Sequence, residues 1–228
     1  MVKCLLYSGF GEKQRMKRLY EIYCILFETY GPQHWWPADS VFEMMAGAIL
    51  TQNTAWVNVS RSLDNFGLNL TPEYVLNCPM DELAAIVKPS GYYNQKAARL
   101  KGLAAWFQKY GFDVERIKEE DPEKIRNELL ALDGVGLETA DSIMLYAFDK
   151  PYFVIDAYTK RIFSKLNYEL PQGYEEIRHY FETRLPYRSA LFNEYHALII
   201  KLAKDHCKSR PDCKNCPLGH FCPSLTIT

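Results

Sequence analysis

Cys207, Cys213, Cys216 and Cys222 are four of the chain's seven cysteines, and five, two and five residues separate them. Thiolates at that density read as a metal site, and a four-cysteine set suits tetrahedral zinc and an iron-sulfur cubane equally. The alternative is a pair of disulfides, which requires an oxidising compartment. Met1 to Phe10 has one lysine and too short an apolar run for a signal peptide, and no segment approaches the about eighteen apolar residues of a membrane span. Metal is therefore the favoured reading, in a chain expected to be cytoplasmic and to have no membrane contact. His206 and His220 lie beside or inside the run and are read as bystanders, because four cysteines already complete a closed site. Cys4, Cys24 and Cys78 are scattered and are read as unpaired packing residues.

The second segment that could do chemistry is Leu132-Asp133-Gly134-Val135-Gly136-Leu137-Glu138-Thr139-Ala140. Glycines at 134 and 136 allow a tight turn and a close backbone approach. The helix start that follows offers unpaired N–H groups and a positive dipole end to an anion such as a nucleic-acid phosphate. An ordinary helix C-cap uses the same glycines, so the motif alone decides little. Asp156 follows a short apolar run, Val154-Ile155, and is either a reactive carboxylate or the N-cap of the next helix. Trp35, Trp36 and Trp56 could fill a core or face a flat cationic ligand. Gln52 and Asn53 sit on a loop tip, where they could meet a base edge or cap a helix beginning at Thr54.

The elements that must position these residues are helical. Met16, Tyr20, Tyr23 and Phe27 repeat at helical steps over 15–30. Ser40 with Glu43 is a capping box ahead of an apolar run to Leu50, and Thr71-Pro72-Glu73 is an N-cap followed by proline. Further helices are predicted at 81–87, 94–110, 121–130, 138–148, 157–165, 175–183 and 189–203, with almost no sheet, so the fold class is all-α. The 228 residues, 48% of them hydrophobic, suffice for one compact unit or two lobes. A net charge of -1 excludes a domain that binds nucleic acid through bulk basicity, so any such contact is local. Lys201, Lys204, Lys208, Arg210 and Lys214 around the cysteines are the place for one.

The order of parts, glycine hairpin, then Val154-Ile155-Asp156, then four cysteines, resembles the helix-hairpin-helix DNA glycosylases of the endonuclease III superfamily, from about Trp35 to Cys222. Trp36-Pro37, Gly47 to Thr54 (GAILTQNT) and Pro89 to Ala97 (PSGYYNQKA) resemble most the branch that excises 3-methyladenine. The resemblance implies two lobes: a six-helix barrel carrying the hairpin over 36–148, and a second helical lobe from 1–35 plus 149–228 carrying a 4Fe-4S loop. Damaged double-stranded DNA would bind in the groove between them to a monomer. It further implies that Gly134, Val135, Gly136 and Thr139 grip a phosphate and that Lys208, Arg210 and Lys214 add positive charge. Asp156 would be the catalytic carboxylate, Trp35, Trp36 and Trp56 the base pocket, and Gln52 and Asn53 the filler of the space left by the flipped base.

Three departures from the family pattern bear on function. Glu138 stands where strand-cutting members carry a lysine that forms a Schiff base, so the expected enzyme is a monofunctional glycosylase that uses water. Lys160 is the one obvious substitute nucleophile. The first cysteine interval is five residues where six is usual, which keeps zinc open beside the cluster. Asp133 replaces a common proline and puts a carboxylate near the expected phosphate. A bifunctional glycosylase and lyase acting on oxidised pyrimidines, and a non-catalytic DNA-binding iron-sulfur protein, are the alternatives.

Overall fold

The computed structural model describes residues 12–223, so Cys4 lies outside it. The described chain is all-helical, with no strand among the described residues, and divides into two compact units.

One unit is Trp36–Lys150 and holds α2 (Val41–Leu50), α3 (Trp56–Asp64), α4 (Pro72–Asn77), α5 (Met80–Ile86), α6 (Tyr93–Gln108), α7 (Val114–Glu119), α8 (Pro122–Leu130) and α9 (Leu137–Tyr146). Helix α2 starts where Ser40 Oγ accepts from the Glu43 N–H at 3.1 Å, and Glu43 returns a bond to the Asp39 N–H at 3.0 Å. All of its residues from Met44 to Leu50 are buried, which makes it the central helix, packed against α3, α6 and α9. Its C-terminal end is closed by Lys96 of α6, which is buried and donates to Leu50 O at 2.9 Å and Ser90 O at 2.6 Å. Burial lowers the Lys96 pKa to about 8. Helix α3 begins at Trp56 with Ala55 as an N-cap that makes no side-chain bond, so Gln52 and Asn53 do not cap it. Helix α7, absent from the sequence-based expectation, is capped by Asp113, which accepts from the Glu115 and Arg116 N–H groups.

The other unit contains the described residues up to Trp35 together with those from Pro151 on. It holds α1 (Glu12–Tyr30), α10 (Ala157–Lys165), α11 (Tyr174–Glu182) and α12 (Ser189–Asp205), with α1 and α10 packed on α12. Its centre is aromatic: Phe153 stacks on Phe181 at 4.6 Å between ring centroids, and Phe163 meets Phe181 edge-on at 4.8 Å. Burying each such ring contributes roughly 1.5–3 kcal/mol. Tyr195 of α12 donates to Leu19 O of α1 at 2.8 Å, so the buried hydroxyl is satisfied. Cys78, in the first unit, is buried and free, as a packing thiol should be. Cys24, also buried, is disulfide-bonded, which corrects its reading as an unpaired thiol; scattered cysteines have no spacing rule that reveals a pairing.

Candidate active site

In the first unit, helices α8 and α9 form a helix-turn-helix pair around the glycine hairpin. Arg126 of α8 and Asp141 of α9 pin them together: Arg126 Nε donates to Asp141 Oδ1 at 2.5 Å, and both side chains are buried. Gly134 has φ +72°, a conformation that strains any residue with a side chain. The Val135 N–H closes the turn on Leu132 O at 3.1 Å, and the Val135 side chain is buried. Among the described residues, the Gly134 and Gly136 N–H groups have no backbone acceptor, and Gly136 opens α9 without a side-chain cap. Exposed N–H groups at a helix start attract an anion. Asp133 and Glu138 are exposed beside them.

Gln52 and Thr139 meet at this hairpin. Gln52 Nε2 donates to Gly134 O at 2.9 Å and to Thr139 Oγ1 at 3.0 Å, while Gln52 Oε1 accepts from Arg99 at 2.7 Å. Asn53, next in the loop, is exposed in the left-handed conformation at φ 53° and makes no such bond to the hairpin. Trp36 and Trp56 also come together, edge to face, with centroids 5.4 Å apart and planes at 76°. Tyr146 lies 5.5 Å from Trp36 on another side, and the absence of a Cβ at Gly47 lets the Trp36 indole pack onto α2. A base stacked between Trp36 and Trp56 requires the two rings to part. Trp35 belongs to the second unit, where Lys204 Nζ lies over its ring at 5.7 Å.

Asp156 is the N-cap of α10 and is also buried. Its Oδ1 accepts from the Thr159 N–H at 2.7 Å and the Thr159 hydroxyl at 2.8 Å. Its Oδ2 faces His196 Nε2 of α12 at 3.5 Å. Burial pushes the carboxyl pKa up, but His196 and the Thr159 bonds outweigh it and hold the group below the usual aspartate value. The two roles offered by the sequence, cap and buried carboxylate, therefore coexist in one side chain. His196 was not foreseen: it lies on a largely apolar helix forty residues beyond Asp156, and only the packing of α12 on α10 brings it there. Lys160 is exposed on α10.

Cys207, Cys213, Cys216 and Cys222 are all free thiols on the loop after α12. Burial pushes the Cys216 thiol up, and Cys213, Cys207 and Cys222 are near enough to raise it further. Burial likewise raises Cys207, opposed by Arg161 and Lys165 of α10. Among the described residues, no three His, Cys, Asp or Glu side chains stand at metal-binding geometry, so the thiols are neighbours without being gathered to ligating distance. His206 Nδ1 pairs with Asp212 O at 3.0 Å inside the loop. Lys208, Arg210 and Lys214 are exposed around it. No described helix is long and apolar enough to cross a membrane.

The described chain is thus helical, with a glycine hairpin between two pinned helices in one unit and a buried N-cap aspartate in the other. The family of HhH-GPD superfamily base excision DNA repair proteins matches residues 46–187, and the chain belongs to it. It is 44% identical over 218 residues, 93% of this chain and 99% of the other, to a Methanocaldococcus jannaschii protein provisionally assigned as a DNA repair glycosylase. It is 29% identical to endonuclease III of Sulfolobus acidocaldarius, over 80% of this chain and 82% of that one. Among solved structures, the H. pylori 3-methyladenine DNA glycosylase bound to 1,N6-ethenoadenine matches with TM-score 0.69 and 29% identity, over 86% of this chain and 98% of that one. An endonuclease III–DNA covalent intermediate matches in fold with TM-score 0.78 at 22% identity, over 96% and 98%. Family and relatives make the chain a DNA glycosylase of base excision repair.

Proposed function

We propose that this protein is a monofunctional glycosylase that removes alkylated purines such as 3-methyladenine from double-stranded DNA, with water as the nucleophile. The observation that carries the reading is Asp156, a buried carboxylate kept ionised by Thr159 and His196. A target base must leave the stack to be cut. As the N-glycosidic bond breaks, its electron pair departs with the base and the sugar becomes oxocarbenium-like. A fixed carboxylate stabilises that charge and can take a proton from the water that adds to the sugar carbon. An N3- or N7-alkylated purine is already cationic and needs no strong acid to leave, and tryptophan faces such as those of Trp36 and Trp56 hold a flat cation. The similarity to the H. pylori 3-methyladenine glycosylase supports this substrate class.

Four reduced thiols suit a 4Fe-4S cluster, with zinc as the alternative, and Cys207, Cys213, Cys216 and Cys222 would hold it. Bound there, the group would order the loop structurally. Lys208, Arg210 and Lys214 on that loop would then present positive charge to DNA phosphates, and the protein would act as a monomer.

A lyase reading is favoured by the similarity to endonuclease III and opposed by Glu138, exposed in the first turn of α9, which cannot form a Schiff base. Duplexes carrying methylated purines or thymine glycol would be scored for free base and for strand breaks with and without alkali. Methyladenine release with breaks only after alkali, and no borohydride-trapped adduct, is expected. Breakage of the thymine-glycol strand without alkali would replace this reading with the lyase.

A further inference from the structure

Gln52 has the place of a side chain that reaches into DNA, yet its amide is fully engaged inside its own unit. An amide offers two N–H donors and one carbonyl oxygen. Both protons of Gln52 are donated, to Gly134 O and Thr139 Oγ1, and Oε1 accepts from the Arg99 guanidinium. Arg99 in turn occupies the space that a side chain at position 134 would need, with its Nε where a Cβ would stand. The Gly134 carbonyl is thus held from one side by Gln52, while Arg99 supports the same residue from beneath. Turning Gln52 outward would break three bonds and leave the Gly134 carbonyl and the Arg99 guanidinium short of partners.

We propose that Gln52 and Arg99 form a strut that sets the conformation of the hairpin in the free protein, and that Gln52 serves DNA binding through the hairpin before any base is flipped. Arg99 is then a positioning residue for phosphate binding. Its side chain lies against Gly134, next to the exposed Asp133 in the chain. The left-handed Gly134 serves two ends, the turn itself and the room for Arg99. The proposal rests on the reading of the hairpin as a phosphate grip.

The test uses the full chain and two labelled duplexes, one undamaged and one with a tetrahydrofuran abasic analogue, with Gln52→Ala, Arg99→Met and the double variant. A strut acts before any base is flipped, so each single variant should weaken both duplexes by the same factor, roughly five- to tenfold. The double variant should be no weaker than the worse single one, and the slope of log affinity against log salt should fall by about one, as for one lost phosphate contact. Loss confined to the abasic duplex in Gln52→Ala, with Arg99→Met unchanged, would overturn the strut in favour of insertion. Independent, additive losses would overturn it as well. If Arg99→Met does not fold, Arg99→Lys provides the same cycle, because lysine keeps the charge but not the guanidinium fork that reaches Gln52. Wild-type protein that binds neither duplex would refute the phosphate-grip reading itself, a result distinct from failure of the strut.

Discussion

Replacing His196 by alanine should move the acid limb of base release and leave the plateau nearly intact. Asp156 has two oxygens in different situations: Oδ1 is held twice by Thr159, at 2.7 and 2.8 Å, and Oδ2 faces His196 at 3.5 Å. The Asp156 side chain is 11% exposed, so water replaces the lost imidazole poorly. A hydrogen bond to a charged group contributes roughly 1.5 kcal/mol at its weak end, and the 3.5 Å separation puts the His196 contact at or below that. Removal of His196 while burial persists should therefore move the acid limb to higher pH and cost base release up to about tenfold on that limb.

The assay is single-turnover release of methyladenine across a pH series, with spontaneous depurination subtracted and folding checked by thermal melting at each pH. Thr159→Val is the companion variant: it removes one of the two bonds at Oδ1 and keeps the backbone N–H bond, so its limb should move less. His196→Gln, which can still donate, should recover part of the shift. A His196→Ala limb that coincides with wild type in a folded protein would refute the claim that His196 keeps Asp156 ionised. A fall in the plateau alone would instead mean that His196 contributes only packing.

Two stability outcomes follow from the first unit. Asp141→Asn removes the carboxylate charge facing buried Arg126 and should cost about 3 kcal/mol of unfolding free energy, read as a lower denaturant midpoint. Lys96 has a folded pKa of about 8 against 10.5 for the free side chain, so between these values the unfolded chain binds more protons and stability rises with pH. The rise is worth at most about 3 kcal/mol by the shift, and Lys96→Met should abolish it in denaturant titrations between pH 8 and 10. Above pH 10 Tyr23 and Tyr110, pushed up to about 12, act with the opposite sign and end the window.

Helices whose starts carry a capping residue and whose bodies show a helical apolar period, such as α2, α8 and α10, were legible in the sequence, because cap and period are local. Helix α7 was not, since Val114 and Ile117 are too few to make a period over six residues, although its Asp113 cap was there to be read. The residue types of the candidate site were legible, while their partners were not. Sequence order cannot show that Gln52 faces Gly134 from 82 residues away, that α12 delivers His196 to Asp156, or that Trp35 and Trp36, adjacent in the chain, belong to different compact units. Cys24 failed for the same reason: pairing is a matter of distance in space.

Helix α10 runs from the buried carboxylate to the cysteine loop. Its first turn is capped by Asp156, Arg161 near its middle lies beside Cys207, and at its last residue Lys165 O receives the Cys222 thiol at 3.6 Å. Nine residues at about 1.5 Å each make a rod of roughly 13 Å, too short to bend appreciably. Such a rod transmits displacement instead of absorbing it. Disorder in the cysteine loop at one end would therefore arrive at the carboxylate as a misalignment, and the integrity of a purely structural loop becomes a condition for chemistry at the far end of a two-and-a-half-turn lever.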